Sequence, residues 1–182
     1  MMSTILIILS IILIGLLLIS AWYGGFYNIR FKTTQCGGET VAFLPHKGDY
    51  KRTGKVMDEV YYTLLNEFKI ETFKGVSIYY DDPDNTPTSE LRSEVGCVIE
   101  NPDLELIEKI SQKFQVKVVP KREYLTTEFP YKGKPSVIVG VIRVYPAIKK
   151  QTRQNNLPEN GHIMEIYDIP NKKIVYRKAM EE

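Results

Sequence analysis

The chain has 182 residues, of which 24 are basic and 22 acidic, for a net charge of +2. This near balance argues against a dedicated nucleic-acid-binding protein, which carries a clear basic excess. Hydrophobic residues make up 43% of the chain, enough for one folded domain with a core. The two cysteines and two histidines lie far apart in the sequence. We therefore predict no disulfide framework, no metal and no cofactor.

The first 29 residues contain no Asp, Glu, Lys or Arg. Within them, residues 4–23 are almost entirely apolar and end in two aromatic side chains. About 20 helical residues span ~30 Å, the thickness of the hydrocarbon core of a bilayer, and aromatic residues concentrate at its surface. We therefore predict a transmembrane anchor over residues 1–23. The side chains assigned to the anchor are those of Leu6, Leu13, Leu17 and Trp22.

The alternative interpretation of this segment is a cleaved signal peptide. Such a peptide has a basic start, a shorter apolar stretch and a small-x-small cleavage site. No basic residue precedes the apolar run, and residues 19–21 (Ile-Ser-Ala) form a poor cleavage sequence. The first charges after the run are Arg30 and Lys32, so the positive-inside rule predicts that the following domain lies in the cytosol. We assign residues 24–38 to a linker and residues 39–182 to that domain.

A pentapeptide recurs within the domain: LPHKG at 44–48 returns as FPYKG at 129–133, 85 positions later. Each copy follows a strand-like stretch and precedes a helical pattern, and each helix is followed by two further apolar strands. The predicted strands are 39–44, 75–80 and 95–99 in the first repeat, and 123–129, 163–167 and 174–176 in the second.

The helices of the two repeats differ in clarity. In the first, apolar residues recur at helical spacing from Val56 to Phe68. In the second, residues 136–156 are rich in β-branched side chains and contain Pro146, features that also suit a strand. We favour a helix there because the repeat requires one. A further short helix is predicted at 103–114.

Two strand-helix-strand-strand units, at about 39–100 and 115–180, predict an α+β fold. Its helices would cover one face of an antiparallel sheet, and a duplication of this kind commonly leaves a groove between its halves. The expected organisation is therefore an N-terminal transmembrane helix followed by one duplicated domain.

Glu165 is the unusual residue of the predicted strands, because alternation puts it on the same face as Ile163 and Tyr167. The 85-residue offset makes Tyr80 its equivalent in the first half. In an aromatic groove with Tyr79, this carboxylate would attract a cationic ligand. Alternatively, a raised pKa would suit it to general acid–base catalysis, or it is simply a solvent-exposed residue on an edge strand. Tyrosines in strands are also commonly core residues.

Three motifs carry a resemblance to a known family: SIYYDDP at 77–83, Lys-Gly at 47–48 and 132–133, and MEIYD at 164–168. Over about residues 39–176 the chain resembles the GyrI-like family, the gyrase-inhibitor and AraC effector-binding type of domain. The resemblance implies a duplicated fold with a central ligand groove. It also implies that Glu165 is the carboxylate with which many members hold cationic or amphipathic small molecules, and which some hydrolase relatives use in catalysis.

The anchor and domain together are similar to one branch of that family, the testis-expressed membrane receptors for autophagy of the endoplasmic reticulum. FPY at 129–131, RVYPA at 143–147 and EIY at 165–167 carry this likeness. It implies an endoplasmic reticulum membrane location and autophagy machinery as a protein partner. Members carry a long acidic tail with a motif for the autophagy modifier, whereas this sequence ends at Glu182 without one.

The favoured function is a non-enzymatic binding or adaptor module. Its expected partners are the lipid bilayer, a small hydrophobic or cationic ligand and other proteins, but no nucleic acid. The predicted ligand-binding residues are Glu165, Tyr80, Tyr79 and Tyr167. One alternative is a membrane-tethered hydrolase with Glu165 as general base and Tyr79 or Tyr80 as its helper. Another is a ligand-free docking domain whose groove is filled by side chains.

Overall fold

The computed structural model describes residues 2–158 and 161–180 of the chain. Its helices are α1 (Met2–Trp22), α2 (Thr53–Glu67), α3 (Leu104–Ser111) and α4 (Lys134–Gln154). Its strands are β1 (Lys32–Cys36), β2 (Thr40–Lys47), β3 (Lys74–Tyr79), β4 (Arg92–Ile99), β5 (Gln115–Val118), β6 (Arg122–Pro130), β7 (Ile163–Asp168) and β8 (Lys173–Ala179).

The eight strands form one antiparallel sheet in the order β1-β6-β8-β7-β3-β4-β2-β5. The first repeat contributes β2, α2, β3 and β4, and the second contributes β6, α4, β7 and β8. Strands β3 and β7 join the two repeats at the centre of the sheet, where Ser77 lies opposite Glu165. The predicted α+β fold with two strand-helix-strand-strand units is confirmed.

The recurring pentapeptide marks the end of the first strand in each repeat. Gly48 and Gly133 close the two copies, and both have a positive φ, 124° and 99°. Such a φ is readily adopted only by glycine, since a side chain would collide with the backbone. The pentapeptide therefore recurs because the chain makes the same turn away from the sheet towards each helix.

Both repeat helices pack on the same face of the sheet. In α2, Val60 and Leu64 are buried, and in α4 Val144 and Ile148 are buried. Each helix has its own apolar cluster with the strands beneath it. The prediction of a helix at α4 is confirmed, and its Pro146 is tolerated on the exposed side.

The edge strands are exchanged between the repeats. Strand β1, which precedes the first repeat, pairs with β6 of the second, and β5, which precedes the second, pairs with β2 of the first. The two connections into β2 and β6 therefore meet, with hydrogen bonds from Gly38 N to Val119 O and from Val119 N to Glu39 O, each 2.8 Å. Val119 is buried in an apolar cluster on the sheet face away from the helices, which we call the back face.

Part of the segment predicted as a linker, residues 24–38, belongs to the folded domain. Residues 32–36 form β1, and the chain before it packs on the domain, where the ring centroids of Tyr27 and Phe129 are 5.6 Å apart. The prediction of a linker is therefore wrong for these residues. The strand was missed because it lies at the edge of the sheet. Its sequence, KTTQC, is polar and depends on backbone pairing rather than on apolar burial. Strand β5 was not predicted either, because it has only four residues, QVKV, and also lies at an edge of the sheet.

Helix α1 projects away from the domain. None of the side chains of Thr4–Trp22 is buried, and this segment is long and apolar enough to cross a membrane, a property that a signal sequence shares. The four side chains assigned to the anchor are all exposed: Leu6, Leu13, Leu17 and Trp22.

Candidate functional site

A groove lies between α2 and α4, above the central strands β3 and β7. It encloses about 2310 Å³. Pockets for drug-sized ligands usually enclose roughly 300–1,000 Å³, so one small ligand would fill only part of it. Its walls come from both helices, and its floor is formed by Gly75, Ser77 and Tyr79 of β3 together with Glu165 and Tyr167 of β7.

Small residues of β3 face large residues of β7 across the floor. Gly75 lies opposite Tyr167, and Ser77 lies opposite Glu165. A side chain at Gly75 would overlap the sulfur of Met57 on α2. The glycine at position 75 therefore makes room for Met57 of the same repeat, whereas the second repeat places acidic and aromatic side chains on the floor.

Glu165 is enclosed by tyrosines at the floor of the groove. It is only 1% exposed. The Tyr145 hydroxyl donates a hydrogen bond to Oε1 at 2.8 Å, and the Tyr167 hydroxyl donates one to Oε2. Burial raises the pKa of the Glu165 carboxyl, although the hydrogen bonds from Tyr167 and Tyr145 act in the opposite direction. In the described part of the chain, no lysine or arginine forms an ion pair with Glu165.

Two further tyrosines complete the enclosure. Burial and the nearby charge of Glu165 raise the pKa of both Tyr79 and Tyr176, so these side chains stay neutral at physiological pH. The Tyr79 hydroxyl lies 3.2 Å from Thr53 Oγ1 at the start of α2. The Tyr176 hydroxyl is buried and has no hydrogen-bond partner among the described residues. The site is thus an acid surrounded by neutral hydroxyls and aromatic rings.

The structure brings together three of the four predicted ligand-binding residues, Glu165, Tyr79 and Tyr167. Tyr80 follows Tyr79 and, by strand alternation, turns to the back face. There its hydroxyl accepts a hydrogen bond from Lys117 Nζ at 3.3 Å, and its ring centroid lies 5.8 Å from that of His162. Tyr80 is nevertheless among the residues that line the groove.

The offset of 85 residues is wrong for the central strands. Tyr80 turns to the back face whereas Glu165 faces the groove, so the two side chains do not occupy equivalent places. Strands β3 and β7 begin at positions 74 and 163, which are 89 rather than 85 residues apart, because the loops within the two repeats differ in length. The interpretation of Glu165 as an exposed residue on an edge strand is also wrong, since β7 is an interior strand and the side chain is buried.

Tyr145 was missed as a site residue by the sequence analysis. It lies on α4 rather than on a strand, and reaches Glu165 from above the sheet. One signal was present in the sequence: the helices were predicted to cover one face of the sheet, and Tyr145 lies within the helix of the second repeat. Only the packing distance between helix and sheet decides that the two side chains meet.

Comparison with known proteins identifies the fold as a member of a family. The family model of the GyrI-like small molecule binding domain matches residues 29–176. The chain belongs to this family. It is 30% identical over 136 residues to the testis-expressed protein 264 homolog of Mus musculus, with 70% of this chain and 41% of that relative covered. The predicted family resemblance is confirmed, and the chain spans about two-fifths of the length of this relative.

Solved GyrI-like folds resemble the chain in structure. The protein SAV2435, solved bound to tetraphenylphosphonium, has a TM-score of 0.56 at 11% identity, covering 84% of this chain and 94% of that one. A chain of the EcmrR–DNA complex has a TM-score of 0.62 at 12% identity, covering 93% and 63%. A hydrolase from Listeria innocua has a TM-score of 0.51 at 10% identity, covering 87% and 96%. At these identities the likeness establishes the fold alone.

Proposed function

We propose that the groove binds a small hydrophobic cation, and that α1 holds this binding domain at the cytosolic face of a membrane. The observation that carries the proposal is the state of Glu165, which is buried among tyrosines and, within residues 2–158 and 161–180, forms no ion pair with a lysine or arginine. The family to which the chain belongs is one of small-molecule-binding domains, which agrees with this use of the groove.

The negative charge of Glu165 is the physical basis of the proposal. A buried carboxylate without a counter-ion is costly, because it has lost its hydration and gained no opposite charge. A cation that enters the groove would supply that charge in surroundings of low dielectric, where the attraction is strong. The faces of Tyr79 and Tyr167 would add cation–π attraction. A neutral ligand of the same shape gains only apolar contact.

A structural neighbour offers a chemical precedent. SAV2435 has been solved with tetraphenylphosphonium, a lipophilic cation of the kind that this groove should favour. The precedent supports the choice of that cation as a probe. For this chain, cation binding is inferred from Glu165 itself.

The membrane part of the proposal rests on α1 and the charges after it. The helix is long and apolar enough to span a bilayer, and Arg30 and Lys32 follow it before any acidic residue. These charges favour a cytosolic domain. From the likeness to the testis-expressed branch, we extend the proposal to an adaptor role at the endoplasmic reticulum, with autophagy machinery among its protein partners.

The test is a titration of the full-length chain in lipid nanodiscs with tetraphenylphosphonium, with empty nanodiscs subtracted. We expect Glu165→Gln to weaken binding by about tenfold or more, equivalent to ~1.4 kcal/mol. Glu94→Gln is the matched control, because Glu94 pairs with Lys117 on the back face. Neutral triphenylphosphine oxide should bind the original and both variants alike. Unchanged affinity of Glu165→Gln for the cation would remove Glu165 from the site.

A second candidate function is a membrane-tethered small-molecule hydrolase. The observation that favours it is the raised pKa of Glu165, caused by burial, which suits a carboxyl to proton transfer. Glu165 would act as general base, with Tyr79 as its helper. In that case Glu165→Gln should abolish turnover of electrophilic esters while the fold is retained. A panel of such esters that shows no turnover by the original chain would count against it.

A further inference from the structure

Few residues separate the end of α1 from the folded domain. Helix α1 ends at Trp22, and Gly24 is buried two residues later. A side chain at Gly24 would overlap the ring of Phe129. Arg143 of α4 donates hydrogen bonds to the carbonyl oxygens of Gly24, at 3.3 Å, and of Gly25. These contacts therefore hold the surface of the domain around this junction close to the end of α1.

That surface combines apolar, aromatic and basic side chains. We call it the exit patch and define it by Trp22, Lys132, Ile169 and Lys172. The two apolar members are exposed, with Trp22 at 64% and Ile169 at 48%. Lys132 Nζ lies 4.0 Å from the centroid of the Trp22 ring. Trp22, Lys132, Ile169 and Lys172 also line an open cleft of about 440 Å³.

The basic members of the exit patch are Lys132 and Lys172. Within residues 2–158 and 161–180, neither Lys132 nor Lys172 forms an ion pair with an acidic side chain. Exposed apolar residues beside unpaired lysines are typical of segments that lie in the headgroup region of a membrane. Tryptophan favours the same region.

We propose that the exit patch is a second membrane contact, in which Lys132 and Lys172 bind anionic lipid headgroups and Ile169 enters the interface beside Trp22. The inference rests on the proposed anchoring by α1, because an inserted α1 brings the patch to the bilayer surface. Each lysine near an anionic leaflet strengthens binding by roughly fivefold. The domain then lies against the membrane in one orientation instead of tumbling above it.

The groove reaches the same surface. Tyr131 and Ile169 line both the groove and the cleft of the exit patch. In the docked orientation, one end of the groove would thus lie at the headgroup level, where an amphipathic cation concentrates.

The test uses the full-length chain in vesicles that carry a quencher on the lipid. In a Cys36→Ser background, an environment-sensitive fluorophore is attached to Ile169→Cys or to Leu104→Cys. Cys97 is buried and stays unlabelled. Leu104 is 85% exposed and lies on α3, which packs beside β5 at the sheet edge opposite β1, so it is the matched control. We expect severalfold stronger quenching at position 169 than at position 104 in phosphatidylcholine vesicles that contain phosphatidylserine.

The charge requirement is tested by Lys132→Glu and Lys172→Glu. Each substitution should lower the equilibrium constant for docking by roughly fivefold. Vesicles of pure phosphatidylcholine should lower this constant as well. Lys69→Glu, at an exposed lysine beyond the end of α2, is the control and should leave quenching unchanged.

The outcomes separate this inference from the anchoring proposal. Resistance to alkaline extraction measures insertion of α1 independently of the domain. An inserted chain with equal quenching at positions 169 and 104, or with none at 169, would overturn the exit patch as a membrane contact. Quenching at position 169 that is as strong in pure phosphatidylcholine as in vesicles with phosphatidylserine would overturn headgroup binding by the two lysines. A chain that alkali extracts would overturn the anchoring and the docked orientation together.

Discussion

The two repeats share one architecture but differ in what they present to the groove. On its floor, the first repeat places Gly75 and Ser77, whereas the second places Glu165 and Tyr167 directly opposite them. The difference shows that duplication provides a symmetric scaffold while the chemistry is concentrated in one half. The glycine of the first repeat is also needed, since it leaves room for Met57 of α2 at the wall of the groove.

The largest expected effects test whether the two halves fold together. Leu64→Ala in the first half should cost about 2–5 kcal/mol, and Phe129→Ala in the second about 3–5 kcal/mol, because both side chains are fully buried. Since β3 pairs with β7 in one continuous sheet, both variants should shift one shared unfolding transition. Denaturant unfolding followed by near-ultraviolet circular dichroism measures this.

Leu104→Ala, at an exposed position, should change the free energy of unfolding by less than about 0.5 kcal/mol. A second transition that appears only with Phe129→Ala would mean that the halves unfold separately.

The next prediction concerns a contact between α4 and β8, which both belong to the second repeat. A methyl group at Gly140 of α4 would overlap the Tyr176 hydroxyl. We expect Gly140→Ala to cost about 1–3 kcal/mol through overpacking. In a Tyr176→Phe background the same change should instead stabilise the domain by about 0.5–1 kcal/mol, because alanine favours the helix. A double-mutant cycle of thermal unfolding measures the coupling, and additive effects would contradict the predicted contact.

The pH dependence of stability tests the buried carboxyl. Its pKa is raised above the ordinary value of 4.5, so the stability that belongs to its protonated form is fully present below that pH and is lost as the pH rises through the folded-state pKa. Glu165→Gln should therefore be more stable than the original chain at pH 7. Each tenfold change in the proton affinity of the carboxyl is worth ~1.4 kcal/mol. This corresponds to about 3 °C in melting temperature.

The difference between Glu165→Gln and the original chain should vanish as the pH falls towards 4.5, the ordinary pKa of the carboxyl. Melting temperatures across that range provide the measurement. A Glu165→Gln variant that is less stable at pH 7 would show that the hydrogen bonds from Tyr145 and Tyr167 outweigh the burial of the charge.

The smallest effect concerns an ionic contact between the halves. Lys149 of α4 pairs with Asp84 at 2.6 Å and Asp82 at 3.0 Å, in the loop after β3. These side chains are partly exposed, so Lys149→Met should lower the free energy of unfolding by less than about 1 kcal/mol. Amide exchange in the loop should nevertheless become faster. Lys150→Met is the neighbouring control, and equal exchange in both variants would mean that the pairs do not restrain the loop.

Much of the fold could be predicted because its signals are local. The pentapeptide at 44–48 and 129–133, with helical or alternating apolar spacing after each copy, was enough to place two repeats and six strands. Even α4, with Pro146 inside it, followed from the repeat. The edge strands β1 and β5 could not be found in this way, because short strands at the edges of a sheet are defined by partners that lie far away in the sequence.

The sequence by itself determined the apolar helix α1, the duplicated unit and the singular position of Glu165 in an apolar strand. The tertiary structure alone decided that Tyr79 rather than Tyr80 faces Glu165, that Tyr145 joins them from α4, and that the segment after α1 is folded against the domain. The reason is physical. Periodicity is a property of neighbouring residues, whereas strand register and helix-to-sheet distance are set by hydrogen bonds and packing between distant parts of the chain.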